Sequence, residues 1–385
     1  MTIYIILYSF LLFSICFEKN SISAQSKNNI LVFWVIVFTL FRGLRWNTGT
    51  DWNQYLMVFQ YADWSSIFSF NRGFGTMEPG YMFINTLVRS LGGDYTVFLI
   101  LTNLFVLIAY MKFAQTNSQT PIYVFVLIMF STQFFPVRIG IAVAFIMLGM
   151  CNFSEKKYIR VAIFTFLAIS VHKSALLFIP VYFLIFFRKI PTMLAVAISL
   201  SALIISQLGK VQELLQPLSV YVEMFGGGDT AAKYEHYFEY NDLEKSGGQL
   251  IRGVSTTLNS VIFIITLVLF GKMIDKLFPK RTKDRLPPKR TKINYAFMYN
   301  VYFAFVMIGI LFSSDEMSSL KRMQNHLMFA FPILFSLFIV YGKKNYSKVD
   351  FVFTWAFIAY VLFRAYTLFF SGYLGAHFPY KSIFD

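Results

Sequence analysis

Charged side chains are scarce in this chain, so those set among apolar runs are the first candidates for chemistry. The tract RGLRWNTGTDWNQY (42–55) places Arg42, Arg45 and Asp51 among Trp46, Trp52 and Tyr55 at the edge of an unbroken apolar run. MEPGY (77–81) sets Glu78 before Pro79, with Tyr81 two residues on. Arg138 follows Pro136 and opens a further apolar run, and VHKSA (171–175) holds His172, Lys173 and Ser174 at a tight junction between two more. Arg252 begins a later run, and SSDEMSSLKRMQNH (313–326) supplies Asp315, Glu316, Lys321, Arg322 and His326. Each residue type has its chemistry. Arginine's planar fork meets anionic oxygens bidentately and keeps its charge. Carboxylates and a neutral imidazole accept protons.

The elements that must position these residues are membrane helices. The chain is 57% hydrophobic and 14% charged, against roughly 25% charged for soluble domains. A bilayer core of about 30 Å needs roughly 20 apolar residues as a helix. Such runs lie near 1–17, 29–45, 94–112, 120–135, 137–153, 157–171, 174–188, 190–208, 251–272, 293–313, 325–342 and 350–370. The expected fold is all-α: a polytopic helical membrane protein of about twelve spans forming a single integral membrane domain over 1–385. The stretch 79–91 is too short to cross and reads as a re-entrant or half helix. The first run lacks a basic leader, so it reads as a retained helix. Cys16 and Cys151 make no case for a disulfide or a metal site.

Orientation follows from the loops. Alternating spans put 18–29, 112–119, 154–160, 188–189, 272–292 and 343–350 on one side, which holds 20 of the 34 Lys/Arg and 5 of the 19 Asp/Glu. The other side is balanced. The positive-inside rule makes the basic face cytoplasmic and places both termini and the 42–55 tract outside. The basic surplus is thus an orientation signal, with no implication of nucleic-acid binding. The loop 272–292 reads as an ordinary basic cytoplasmic loop, or one that holds anionic lipid headgroups. Residues 209–250 form a long acidic, tyrosine-rich exterior connection punctuated by GGG and GG, read as a lid over a cavity mouth.

With sides assigned, the exterior charges can be weighed. Arg138 at a helix N-terminus opposes the macrodipole by about 0.3–1 kcal/mol. It either snorkels to the headgroups or marks a functional site. Arg252 has the same conflict. Arg45, at a helix C-terminus, is favoured by the dipole; Asp51 is placed to pair with it, across a turn that Gly49 permits. Glu78 reads equally as a helix cap and as a substrate ligand, and Ser174 as a cap for the helix that follows. A lone histidine is more often structural, but His172 shares its rim with arginines. Arg322 and His326 are four apart, a spacing that shares one helix face. There is no phosphate-binding glycine loop, no H-E-x-x-H, no D-x-D pair and no Cys/His cluster, which argues against nucleotide-driven or zinc-dependent chemistry. No metal or cofactor is expected.

The arrangement R-x-x-x-G-x-D-x-x-x-Y in Arg45, Gly49, Asp51 and Tyr55 resembles the EpsG/Wzy group of bacterial polysaccharide polymerases. So do E-P-G-Y at 78–81, the exterior Arg138, H-x-S-A in His172, Ser174 and Ala175, and the late Arg322. The resemblance covers 40–180 well and is looser beyond. Two departures stand out: Ile139 follows Arg138 where the family commonly has Gln, and His326 stands where an aromatic is common. The resemblance implies a GT-C-like membrane glycosyltransferase of the bacterial inner membrane, active on its periplasmic side. Its substrates would be polyprenyl-pyrophosphate-linked oligosaccharides, the glycan on one carrier moving to the sugar of the next. A membrane protein that regulates chain length is an implied partner, beside the membrane lipids themselves.

That reaction has clear requirements. A departing pyrophosphate needs fixed cations in a site of low dielectric, for which Arg45, Arg138, Arg252 and Arg322 are available. The acceptor hydroxyl needs a base, with Asp51, Glu78 and His172 as candidates and His172 the first choice. Tyr55, Tyr81, Trp46 and Trp52 offer faces to sugar rings, and Lys173, Ser174 and His326 complete the substrate-binding set. Two other readings remain: a ligase using the same donor, and a flippase or transporter of the same lipid. A transporter would bury charges at mid-membrane depth and pair half-helices in related halves. Exterior charges and the absence of a repeat favour an enzyme.

Overall fold

The computed structural model describes residues 2–18, 22–49, 51–68, 77–132, 134–184, 187–208, 211, 249–277, 294–313, 322–345 and 379–385. Their regular structure is helical: α1 Thr2–Phe13, α2 Ala24–Gly43, α3 Trp52–Tyr61, α4 Pro79–Ser90, α5 Tyr95–Asn117, α6 Pro121–Ser131 and α7 Arg138–Ser154. They are followed by α8 Tyr158–Val171, α9 Phe178–Phe183, α10 Thr192–Gln207, α11 Gln249–Leu277, α12 Tyr295–Leu311 and α13 Ala330–Asn345. Eleven of the twelve apolar runs fall on these helices or the 3₁₀ turns beside them; the run 350–370 lies outside the described residues. So do 212–248, most of the expected lid, and 278–293, most of the basic loop.

Several of the helices carry apolar residues on their outward as well as their inward faces, as lipid-bathed helices must. In α1, Tyr4, Tyr8 and Leu11 are buried while Ile3, Ile6, Phe10 and Phe13 are exposed. In α8, Val161, Thr165, Ala168 and Val171 face inward and Ile159, Ile163 and Phe166 outward. Exposed isoleucine and phenylalanine in such density need hydrocarbon around them, and the protein is a membrane protein. Three helices are long and apolar enough to cross unaided: α2, α5 and the Thr257–Leu277 part of α11. Helix starts carry local signals. Ser23 caps α2 by accepting from the Ser26 amide, Asp94 caps α5 through the Val97 amide, and Pro79 and Pro121 occupy first turns.

Two elements depart from a plain span. Helix α4 has 12 residues, about 18 Å at 1.5 Å per residue, so it stays within the protein and packs on α3, α5 and α8. The run 174–188 opens as 3₁₀ helix over Lys173–Leu177 before the six-residue α9. Pro180 has no amide to donate and its ring opposes the carbonyl four residues back, which disfavours a continuous α-helix there.

The chain divides into two compact units. The first takes the chain to Ile179 and again from Phe331; α10, α11 and α12 belong to the second. In the first, α2 packs on α5, α5 on α7, and α7 on α8. Connections assigned to one side meet within it: Lys27 pairs with the buried Glu18 at 2.7 Å, Gln115 donates to Asn28, and Asn117 to Cys151. The second unit behaves alike. At one end Lys189 pairs with Asp275 at 3.0 Å and Asn300 donates to the Arg188 carbonyl; at the other Ser206 meets Ser313.

Glu18 also accepts from the Ile122 amide at 2.6 Å, so it neutralises Lys27 and anchors the start of α6 together. Glu18→Ala is expected to destabilise the detergent-solubilised chain by about 3 kcal/mol, the cost of leaving a buried partner unpaired. Adding Lys27→Met should recover part of that loss in thermal unfolding.

Candidate functional site

At the other end of the first unit, four short sequence signals meet. Glu78 precedes α4, and Pro79 fixes the start of the helix with Glu78 extended in front of it. The carboxylate does not cap its own helix. One oxygen accepts from Arg138 Nη1 at 2.7 Å, and the other from the Lys173 amide at 3.1 Å. E-P-G-Y, the first residue of α7 and the 172–175 turn are thereby tied to one carboxylate, which is 6% exposed. The pair also explains how Arg138 tolerates a helix N-terminus: Glu78 supplies the negative charge that the dipole withholds. Arg138 Nη1 touches Met77 Sδ as well, at 3.2 Å.

The junction depends on Gly80. A Cβ there would lie 2.8 Å from the Ser170 carbonyl carbon, so only glycine lets α4 approach the end of α8 this closely. Tyr81 next to it is fully buried, packed edge-on against Tyr55 at 5.8 Å and against Phe98 at 6.0 Å. The expectation that Tyr81 stacks on a ligand is therefore replaced by a supporting role beneath Tyr55. The same holds for Trp52, which is buried under Arg45, whereas Trp46 is exposed and Tyr55 is half-buried.

His172 caps the 3₁₀ turn. Its Nδ1 accepts from the Ser174 amide at 3.3 Å and lies 2.8 Å from the Ser174 hydroxyl. With Nδ1 accepting from the amide, the neutral ring carries its proton on Nε2 and presents a donor there. The cap thus runs from His172 to Ser174, where the sequence pointed to Ser174 as the capping residue.

Arg45 is 3% exposed. Nη1 donates to the Thr48 carbonyl at 3.1 Å, and the guanidinium lies over Phe135 at 4.4 Å and Trp52 at 5.3 Å. Gly49, at φ +118°, folds the loop back under it; a Cβ there would meet Nη1 at 2.9 Å. The expected Arg45–Asp51 ion pair is absent among the described residues, and Asp51 is exposed at the start of α3, one turn before Tyr55. A segment that the sequence did not flag secures this loop. Trp46 N donates to the Lys381 carbonyl and Ile383 N to the Leu44 carbonyl, each at 2.9 Å, and Tyr380 stacks on Phe41. The Ser382 amide in turn holds the Asp385 carboxyl below the usual carboxylate range.

Sequence reasoning noticed Arg42 but gave it no role; it is fully buried with no hydrogen-bond partner on any guanidinium nitrogen among the described residues. Its position in the same tract as Arg45 was the available signal. Of the remaining candidates, His326 is buried in the second unit within a 3₁₀ helix, Arg322–Leu327. In that geometry residues three apart eclipse, so the four-residue spacing from Arg322 does not by itself stack the two. The side chains of Arg252 and Arg322 lie outside the described residues.

These features define a class: a helical membrane protein with a charged, largely buried site assembled at one end of its bundle. Comparison with known families is specific. The model of the EpsG family matches residues 28–382, and the chain belongs to that family of polysaccharide polymerases. No curated relative and no solved structure matches.

A double-mutant cycle tests the central ion pair. Glu78→Gln and Arg138→Gln should each lower stability, and the double variant should lose less than their sum, with a coupling of about 1–3 kcal/mol for residues sharing a hydrogen-bonded pair. Thermal unfolding in detergent supplies the four values.

Proposed function

We propose that this chain joins polyprenyl-diphosphate-linked oligosaccharide repeat units at the outer face of the bacterial inner membrane, without a nucleotide. The family supplies the general activity. The observation that carries the finer reading is the convergence of Glu78, Arg138, Lys173 and His172 on one end of the bundle, beside a buried Arg45. On this reading the spans number about twelve, the architecture is GT-C-like, and the site and both termini face the exterior.

In the reaction, the acceptor sugar's hydroxyl oxygen attacks the anomeric carbon of the donor glycan. The bond from that carbon to the diphosphate oxygen breaks, and the electron pair leaves with the diphosphate. Arginine stabilises that charge without having to supply a proton. The acceptor's proton goes to a base. Glu78 is committed to two donors, and His172 presents a donor on Nε2. Asp51 is exposed and in no ion pair among the described residues, so it takes the role of base, with His172 orienting the acceptor. Tyr55 and Trp46 offer the accessible aromatic faces for sugar. Arg252, Arg322 and His326 are proposed as further substrate ligands within their own unit.

The test is purified chain in proteoliposomes supplied with lipid-linked repeat units alone. A ladder of products marks a polymerase. Transfer to a different acceptor without a ladder marks a ligase, and movement of intact lipid marks a transporter. Asp51→Asn is expected to slow ladder formation roughly a hundredfold, the lower range for loss of general-base catalysis. Unchanged rates in Asp51→Asn would remove Asp51 from the mechanism. His172→Ala should slow the reaction less than Asp51→Asn does.

A further inference from the structure

The most unusual charge in the described residues is Arg42. It lies in the last turn of α2, is fully buried, and none of its Nε, Nη1 and Nη2 atoms has a hydrogen-bond partner among the described residues. Phe38 lies 5.8 Å beneath its guanidinium. The neutral phenols of Tyr8 and Tyr110 stand within its electrostatic reach and supply no counter-charge. Three residues on, Arg45 is also buried, its Nε has no partner, and the two guanidinium groups repel one another.

Native proteins pair buried charges, because an ion held away from both water and counter-charge is costly. Glu78, the buried carboxylate at this end of the unit, is spent elsewhere, bound to Arg138 and the Lys173 amide. Neither Arg42 nor Arg45 takes part in an ion pair among the described residues. The half-charge of the α2 C-terminus offsets one cation in part and leaves the pair positive. The polar atoms around them add donors. Unpartnered hydroxyls of Tyr110 and Tyr95 flank Arg42 and Arg45 respectively, and Tyr81 adds another within reach of Arg45. Two fixed cations and several O–H groups without acceptors describe a site whose missing component is an anion carrying more than one negative charge.

We propose that Arg42 and Arg45 form a buried subsite for the diphosphate of the lipid carrier, with the Tyr95 and Tyr110 hydroxyls as supplementary donors. The identity of the anion rests on the polymerase reading; the need for one rests on the geometry. The placement also divides labour between the arginines. Arg138 is neutralised by Glu78 and organises the turn that bears His172, while the uncompensated charge sits at the end of α2. An acidic sugar of the glycan would be the other source of negative charge, and the experiment separates the two.

The full chain in nanodiscs is titrated with inorganic pyrophosphate, farnesyl diphosphate and glucuronate, and binding is read by calorimetry. Wild type should bind both diphosphates and leave glucuronate unbound. Arg42→Gln and Arg45→Gln should each weaken diphosphate binding roughly tenfold to a hundredfold, as expected for loss of charge-assisted hydrogen bonds. Arg160→Gln, an exposed cation removed at the opposite end, controls for the change in net charge. Arg42→Met should raise the unfolding temperature of the ligand-free chain while abolishing stabilisation by diphosphate, because it removes an unpaired buried charge. Tyr110→Phe, a milder change, should weaken binding severalfold. Wild-type affinity in Arg42→Gln and Arg45→Gln, binding of glucuronate alone, or a lowered unfolding temperature in ligand-free Arg42→Met overturns the proposal. The ladder assay is independent: diphosphate binding without a ladder breaks the polymerase reading and leaves the subsite standing. A ladder with diphosphate binding untouched in both arginine variants does the reverse.

Discussion

The first unit's site hangs on the charge balance of Glu78. In a bundle surrounded by hydrocarbon, a carboxylate with two donors on its two oxygens is a strong joint, since the low dielectric that penalises each lone ion also strengthens the pair. Glu78 joins the start of α4, the first residue of α7 and the backbone of the turn after α8. Remove its charge, and Arg138 stands alone against the dipole of its helix while the His172 turn loses an anchor. The close approach that makes this possible is set by Gly80, where any side chain would strike Ser170.

Against that satisfied joint stands an unsatisfied one. Arg42 and Arg45 lie at the end of α2, buried and without counter-ions among the described residues. Buried charge of this kind lowers stability, and proteins keep such arrangements where function needs them. The loop bearing Arg45 is accordingly restrained from several directions: by Gly49 at positive φ, by the aromatic faces of Phe135 and Trp52, and by backbone pairing with residues 381–383. A cation that cannot relax toward solvent is pre-organised for an anionic ligand.

Much of this was legible from the residues alone. Apolar runs marked the helices because each helix must satisfy its own backbone in lipid. The motif residues Arg45, Glu78, Arg138 and His172 stood out because charge at the ends of apolar runs is rare. Their pairing was not legible. The Arg45–Asp51 pair expected from proximity in sequence does not form; Gly49 turns the loop so that Arg45 meets Thr48 and aromatic rings, leaving Asp51 exposed. The run 174–188 looked like a plain span, yet Pro180 interrupts it.

The sequence by itself determined that the chain is a helical membrane protein and which few charged residues stand at the ends of its apolar runs. Both follow from hydropathy and charge, which are local properties summed along a chain. Only the tertiary structure decided which cation meets which anion. Glu78 and Arg138 are 60 residues apart and Arg45 and Lys381 more than 300, so their contacts arise from helix packing and leave no periodic trace. The same packing leaves Arg42 without a counter-ion among the described residues, a fact no pattern of residues announces, because an absent neighbour is a property of the fold.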